Sequence, residues 1–188
     1  DCTGVQKITY TVGDGSVFNH GNANTLPRYA YRSLTTVVYE EGITEIPEYA
    51  LYRSRQNADD ICCTSITSIT LPGTVTKIGA VAFRGCSGLK DIVIPGSVES
   101  IGISAFSGCS SLKEANISNL TEINNSVFFG CSSLASIVIP NAVKKIGESA
   151  FSNCYGLKEV TLPISAEYAT LGGESFLNCI GVQKITYT

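Results

Sequence analysis

Eight cysteines, one histidine and a set of lysine–acid pairs are the residues of this 188-residue chain with side chains suited to chemistry. Cys2, Cys63, Cys86, Cys109, Cys131, Cys154 and Cys179 each stand three residues before an aliphatic residue, and only Cys62 falls out of that register. A metal centre needs ligands that converge, such as paired CxxC motifs or Cys with His. Here the thiols are spread one to a segment, and His20, in a Gly/Asn-rich stretch, is the single histidine. The spacing therefore predicts a ladder of small buried hydrophobes that stay free thiols. Thiols at one repeat position run parallel and do not turn toward each other as a disulfide requires. His20 is expected on a solvent-facing turn and not as a catalytic base. Gly13-Asp-Gly15 lacks the lysine and helix that complete a phosphate loop. No catalytic residue, metal or cofactor is expected.

The thiols are positioned by a repeat. Val5, Leu34, Ile66, Leu89, Leu112, Leu134, Leu157 and Val182 are equivalent, and the steps between them are 29, 32, 23, 23, 22, 23 and 25 residues. In the unit around Leu89, Ile92 and Ile94 are two apart and share one face of a strand, while Val93 points the other way. Pro95 has no amide hydrogen for a sheet ladder and marks the end of the strand. Val98 and Ile101 follow three apart, which predicts a loosely helical or irregular return with its apolar side inward. Phe83, Phe106, Phe128, Phe151 and Phe176 recur once per unit as a core stripe, and Gly79, Gly102, Gly147 and Gly172 mark a tight place in the return. No unit can bury its apolar face alone; stacking closes the core.

Composition agrees. At 44% hydrophobic and 15% charged the chain is not disordered. A net charge of -3 with 13 Lys plus Arg leaves no electrostatic footprint for nucleic acid. No apolar run approaches the roughly 18 residues of a membrane span, so membrane insertion is not expected. Methionine is absent, from which the chain is expected to be a processed or excised piece.

The recurring pattern AFxxCxxLxxIxIPxxVxxIG resembles the BspA-type leucine-rich repeat of many bacterial and some protozoan surface proteins, over about residues 34–188. The period near 23 lies in the leucine-rich-repeat range. The expected fold is one α/β domain over 1–188, a right-handed leucine-rich-repeat solenoid or horseshoe. About eight parallel strands line its concave face, with short helical or irregular returns on the convex face. The resemblance implies a non-catalytic, secreted or surface-attached module of bacterial source, used in adhesion or host interaction. A protein partner, host or matrix, is implied. A structural spacer displaying another domain is the alternative.

Candidate binding residues fall in two groups. Lys90, Lys113 and Lys158 stand beside Asp91, Glu114 and Glu159 at one outward strand position, either a binding stripe or a solvated sheet face. Val93, Asn116, Val138 and Thr161 share the next outward position, which lacks the aromatic platform a sugar would want, so a protein partner fits better there. Arg53, Arg55, Asp59 and Asp60 lie in a polar insertion at 52–62 that the repeat does not need. A second enlarged segment spans 12–33. Asn116, Asn119 and Asn124 begin glycosylation sequons, which matter only in a eukaryotic source. Gly4–Thr11 and Gly181–Thr188 are the same octapeptide, GVQKITYT, in the same repeat phase. That identity predicts a larger duplicated array, with end-to-end self-association through open strand edges.

Overall fold

The computed structural model describes residues 6–11, 33–52, 64–163 and 171–187. Most coils bring a front strand and a shorter return strand. The front strands are β1 (Lys7–Tyr10), β2 (Thr36–Tyr39), β4 (Ser68–Thr70), β6 (Asp91–Ile92), β9 (Ser136–Val138), β11 (Glu159–Leu162) and β12 (Lys184–Tyr187). The return strands are β3 (Glu45–Ile46), β5 (Lys77–Ile78), β7 (Ser100–Ile101), β8 (Glu122–Ile123) and β10 (Lys145–Ile146). All pairing is parallel between successive coils and keeps repeat phase. Val37 lies beside Ile8 and Ile69, Ile69 beside Ile92, and Val160 beside Ile137 and Ile185. The chain is thus a parallel-strand solenoid of about six turns.

Where short helical or irregular returns were expected, the described returns contain two-residue strands and turns, a parallel-strand β-solenoid. Backbone satisfaction is the reason, because buried N–H and C=O groups must find partners. A short return containing glycine cannot close enough helical bonds within itself, but the coil beside it offers an in-phase row of carbonyls. Gly79 N–H donates to Ile46 O and Gly102 N–H to Ile78 O, both at 2.8 Å. A Cβ on Gly102 would sit 2.4 Å from Ala80 N, so these coils approach too closely for any side chain at that position.

The front sheet is also not continuous. It holds four strands in the order β1-β2-β4-β6 and three in the order β12-β11-β9, and the coil between them supplies no front strand. The return strands divide at the same coil, into β3-β5-β7 and β10-β8. That coil is one residue short, and its Ser118 stands where Pro72, Pro95, Pro140 and Pro163 occur. Its Asn124 replaces the close-approach glycine. The Asn124 side-chain amide donates to Ile101 O at 2.8 Å, a bond made elsewhere by the glycine N–H. Asn119 likewise donates its amide to Gly96 O. Asparagine side chains stitch the coil where the ladder lapses.

Inside, the two predicted stripes are present. Consecutive phenylalanines from Phe83 to Phe176 have ring centroids 5.4, 5.6, 5.5 and 5.0 Å apart. Phe83, Phe106, Phe128 and Phe151 are fully buried, and Phe176 partly. Cys86, Cys109, Cys131, Cys154 and Cys179 are free thiols. Four of these thiols donate to a phenylalanine carbonyl of the preceding coil: Cys109 to Phe83, Cys131 to Phe106, Cys154 to Phe128 and Cys179 to Phe151, at 3.1–3.3 Å. Cys2, Cys62 and Cys63, His20 and nearly all of 12–33 and 52–62 lie outside the described residues.

Candidate functional site

A front strand that buries alternate residues must present the residues between them outward. Ile92 and Ile137 are buried, whereas Val93 and Val138 are 80% and 62% exposed. Lys90, Asp91, Lys113, Glu114, Asn116, Lys158 and Glu159 are likewise exposed, and Thr161 is half-buried. All ten sequence-predicted front-face residues therefore lie on the outer side. They do not form one unbroken stripe. Lys90–Asp91 and Lys113–Glu114 occupy neighbouring coils, joined by Lys113 N–H to Lys90 O at 3.2 Å. The next coil carries Ala135 and Ser136 at those positions, with Ser136 in register with Glu159. The stripe thus divides into a two-coil patch and a separate Lys158–Glu159 pair, which is in register with Lys184.

None of the six charged side chains at 90, 91, 113, 114, 158 and 159 forms an ion pair with another described residue. Among the described residues, an ion pair occurs on the return side between Lys77 and Glu45 at 3.6 Å. The front charges stay available to a partner. The exposed Asn116 accepts from Ser118 N–H through its Oδ1 at 3.0 Å. The return side bears an open polar groove lined by Thr76, Ser97, Glu99, Ser100, Asn119 and Thr121. Arg53, Arg55, Asp59 and Asp60 lie outside the described residues.

Sequence reasoning missed the flank where each coil turns back toward its front strand. Tyr49 and Tyr52 sit there with ring centroids 5.9 Å apart, and the Arg84 guanidinium lies over the Tyr52 ring at 5.4 Å. Tyr49 is equivalent to Val81, Ser104, Ser126, Ser149 and Glu174, and Tyr52 to Arg84, Ser107, Phe129, Ser152 and Leu177, so neither position repeats one residue type that the sequence alone could have flagged.

The buried thiols offer no nucleophile. Burial pushes Cys109 and Cys154 up to about 12 and Cys131 well above its ordinary value, since a thiolate is costly in an apolar stack. The half-buried Cys179 is raised for the same reason. Among the described residues no cluster of His, Cys, Asp and Glu could hold a metal ion, and no helix is long and apolar enough to cross a membrane.

This architecture has relatives among solved structures. The leucine-rich repeat protein of T. pallidum aligns with a TM-score of 0.64 at 29% identity, over 80% of this chain and 68% of that one. The pneumococcal vaccine antigen PcpA shares the fold, with a TM-score of 0.57 at 22% identity, over 82% of this chain and 39% of that one. No curated protein matches. Six copies of the BspA type leucine rich repeat region match residues 57–185, more than half of the chain. With the in-phase Ala, Phe, Cys, Leu, Ile and Gly positions all accounted for by the stacked coils, the chain belongs to the BspA-type leucine-rich repeat family.

Proposed function

We propose that this chain is a non-catalytic protein-binding module, displayed on a bacterial cell surface or secreted, that serves adhesion or host interaction. Its contact surfaces are the outer face of the front strands, on the concave side of a right-handed horseshoe, and the insertion at 52–62. One observation carries this reading. Charges at Lys90, Asp91, Lys113 and Glu114, in no ion pair among the described residues, surround exposed Val93 and Asn116 on a sheet whose packing needs none of them. Interfaces gain specificity from charges arranged around an apolar centre. Family membership and the shared fold with a pneumococcal vaccine antigen support the surface setting.

The test is binding of the chain to a panel of immobilised, purified extracellular-matrix proteins. A partner should bind, and Lys90→Glu with Lys113→Glu should weaken it at least tenfold while the melting temperature holds. No binding, or binding indifferent to the swaps, rejects this surface and leaves the spacer reading. End-to-end self-association belongs to the same proposal, because β1 and β12 carry the same Lys-Ile-Thr-Tyr sequence in phase. Sedimentation decides it: mass rising with concentration supports the contact, and a monomer throughout rejects it.

A further inference from the structure

One edge in the front sheet is matched twice in the chain. β2 holds β4 on one edge and β1 on the other, with Ile8 beside Val37 and Tyr10 beside Tyr39. The Tyr10 and Tyr39 rings stack with centroids 5.0 Å apart. Gln6 O accepts from the N–H groups of Thr35 and Thr36, both at 3.0 Å, and from the Thr35 hydroxyl at 3.1 Å. These contacts call for an extended strand reading Gln-Lys-Ile-Thr-Tyr. Residues 183–187 of β12 read the same, residue for residue.

β12 stands at the end of its sheet, paired on one side with β11. Ile185 is 53% and Tyr187 60% exposed there, whereas the equivalent Ile8 and Tyr10 are half-buried against β2. Direction fits as well. β12 offers the edge that faces a following coil, and β1 fills the edge of β2 that faces a preceding one. A second copy has two ways to use this match. Its β12 can lie on the outer edge of β1, or it can take the place of β1 on β2. The first keeps β1 but sets identical strands in register, with Lys184 beside Lys7. No described strand pair sets like charges side by side, and like charges directly opposite destabilise a ladder. In the second, Lys184 lies beside Thr36, as Lys7 does in the structure.

We propose that the β2 edge is a receptor for the GVQKITYT strand, and that β12 of a second copy takes it by displacing β1. The result is a head-to-tail strand exchange in the order β11-β12-β2-β4. Exchange of an identical element between copies is a low-cost route to assembly, because the bonds given up are the bonds regained. Main-chain bonds supply the affinity of an added strand and its alternate side chains supply the register, here Ile185 beside Val37 and Tyr187 on the Tyr39 ring. Ile185 and Tyr187 lose their exposure in the process. The exchange rests on the end-to-end association above but moves its contact from β1 to β2.

The experiment follows sedimentation of the intact 188-residue chain and its variants, with a fluorescent GVQKITYT peptide as a second probe. Ile8→Asp loosens β1 from β2, so it should lower the concentration of half-association at least tenfold. Ile185→Asp spoils β12 and should raise that concentration at least tenfold. The peptide should bind Ile8→Asp at least tenfold tighter than the parent, and a scrambled peptide should bind neither. The double variant should be a monomer that still binds GVQKITYT. Melting curves confirm that the central coils stay folded; where Ile8→Asp unfolds them, Tyr10→Ser should act in the same direction without burying a charge. Association weakened by Ile8→Asp rejects the exchange and leaves stacking on β1 standing. Association and peptide binding untouched by Ile8→Asp also reject it. A monomer in every variant overturns the exchange and the end-to-end association together.

Discussion

A thiol that donates to a carbonyl of the neighbouring coil acts both as a filler and as a polar tie, which explains why one repeat position accepts cysteine again and again. The chemistry is that of a weak donor in a dry stack. In native protein at pH 8, iodoacetamide should leave Cys109, Cys131 and Cys154 unmodified and label Cys179 first, because Cys179 is half-buried and the other three are buried. Mass spectrometry of the quenched protein reads the order; uniform labelling would contradict it. The raised thiols also set a pH dependence. The unfolded chain loses these protons near the ordinary 9.0, whereas folded Cys109 and Cys154 hold theirs to about 12. The folded state thus binds more protons in that window, and stability must fall as pH rises from 9 toward 12. Cys109→Ala should flatten that fall in thermal melts. Phe128, packed between Phe106 and Phe151, should cost about 3–5 kcal/mol in denaturant titrations when truncated to alanine. Both stripes were legible in the sequence because burial of a single residue type at one phase leaves a period that composition alone cannot.

At the scale of the coil, the front strands were legible and the returns were not. Alternation at Ile92 and Ile94 has one physical meaning, an extended strand with one face buried. A three-residue step such as Val98 to Ile101 has two, a helical turn or a bend followed by a short strand, and neighbouring carbonyls decide between them. The lapse in the sheet left a trace in the sequence, Ser118 in place of proline and a step of 22, but not the repair by Asn119 and Asn124, which needs the coil beside it. Two outcomes follow from that repair. Amide hydrogen exchange should be faster at Lys113–Asn116 than at β6 or β9 on either side, since local opening starts where ladder bonds are fewest. Asn124→Ala should cost about 1 kcal/mol by losing its bond to Ile101 O. Equal exchange across the three coils, or a neutral Asn124→Ala, would show that the stitching is incidental.

Across the whole molecule, each coil contacts its neighbours in sequence, so the stack is rigid along its length and its two exposed sides are free to diverge. The return side pairs Lys77 with Glu45, while on the front Lys90, Lys113 and Lys158 have no ion-pair partner among the described residues. Front-face orientation was readable from the alternation. The division of the stripe at Ala135–Ser136 and the Tyr49–Tyr52–Arg84 cluster were not, because both depend on which coils become neighbours. The exposed lysines report on the central claim, that a protein partner docks on the outer front face. Acylation of lysine amines, followed by mass spectrometry, should be run with and without a matrix protein that the chain binds. Labelling at Lys90 and Lys113 should fall several-fold in the complex, with Lys77 and Lys145 on the return side unchanged. Protection of Lys77 and Lys145 with Lys90 and Lys113 still labelled would contradict the account.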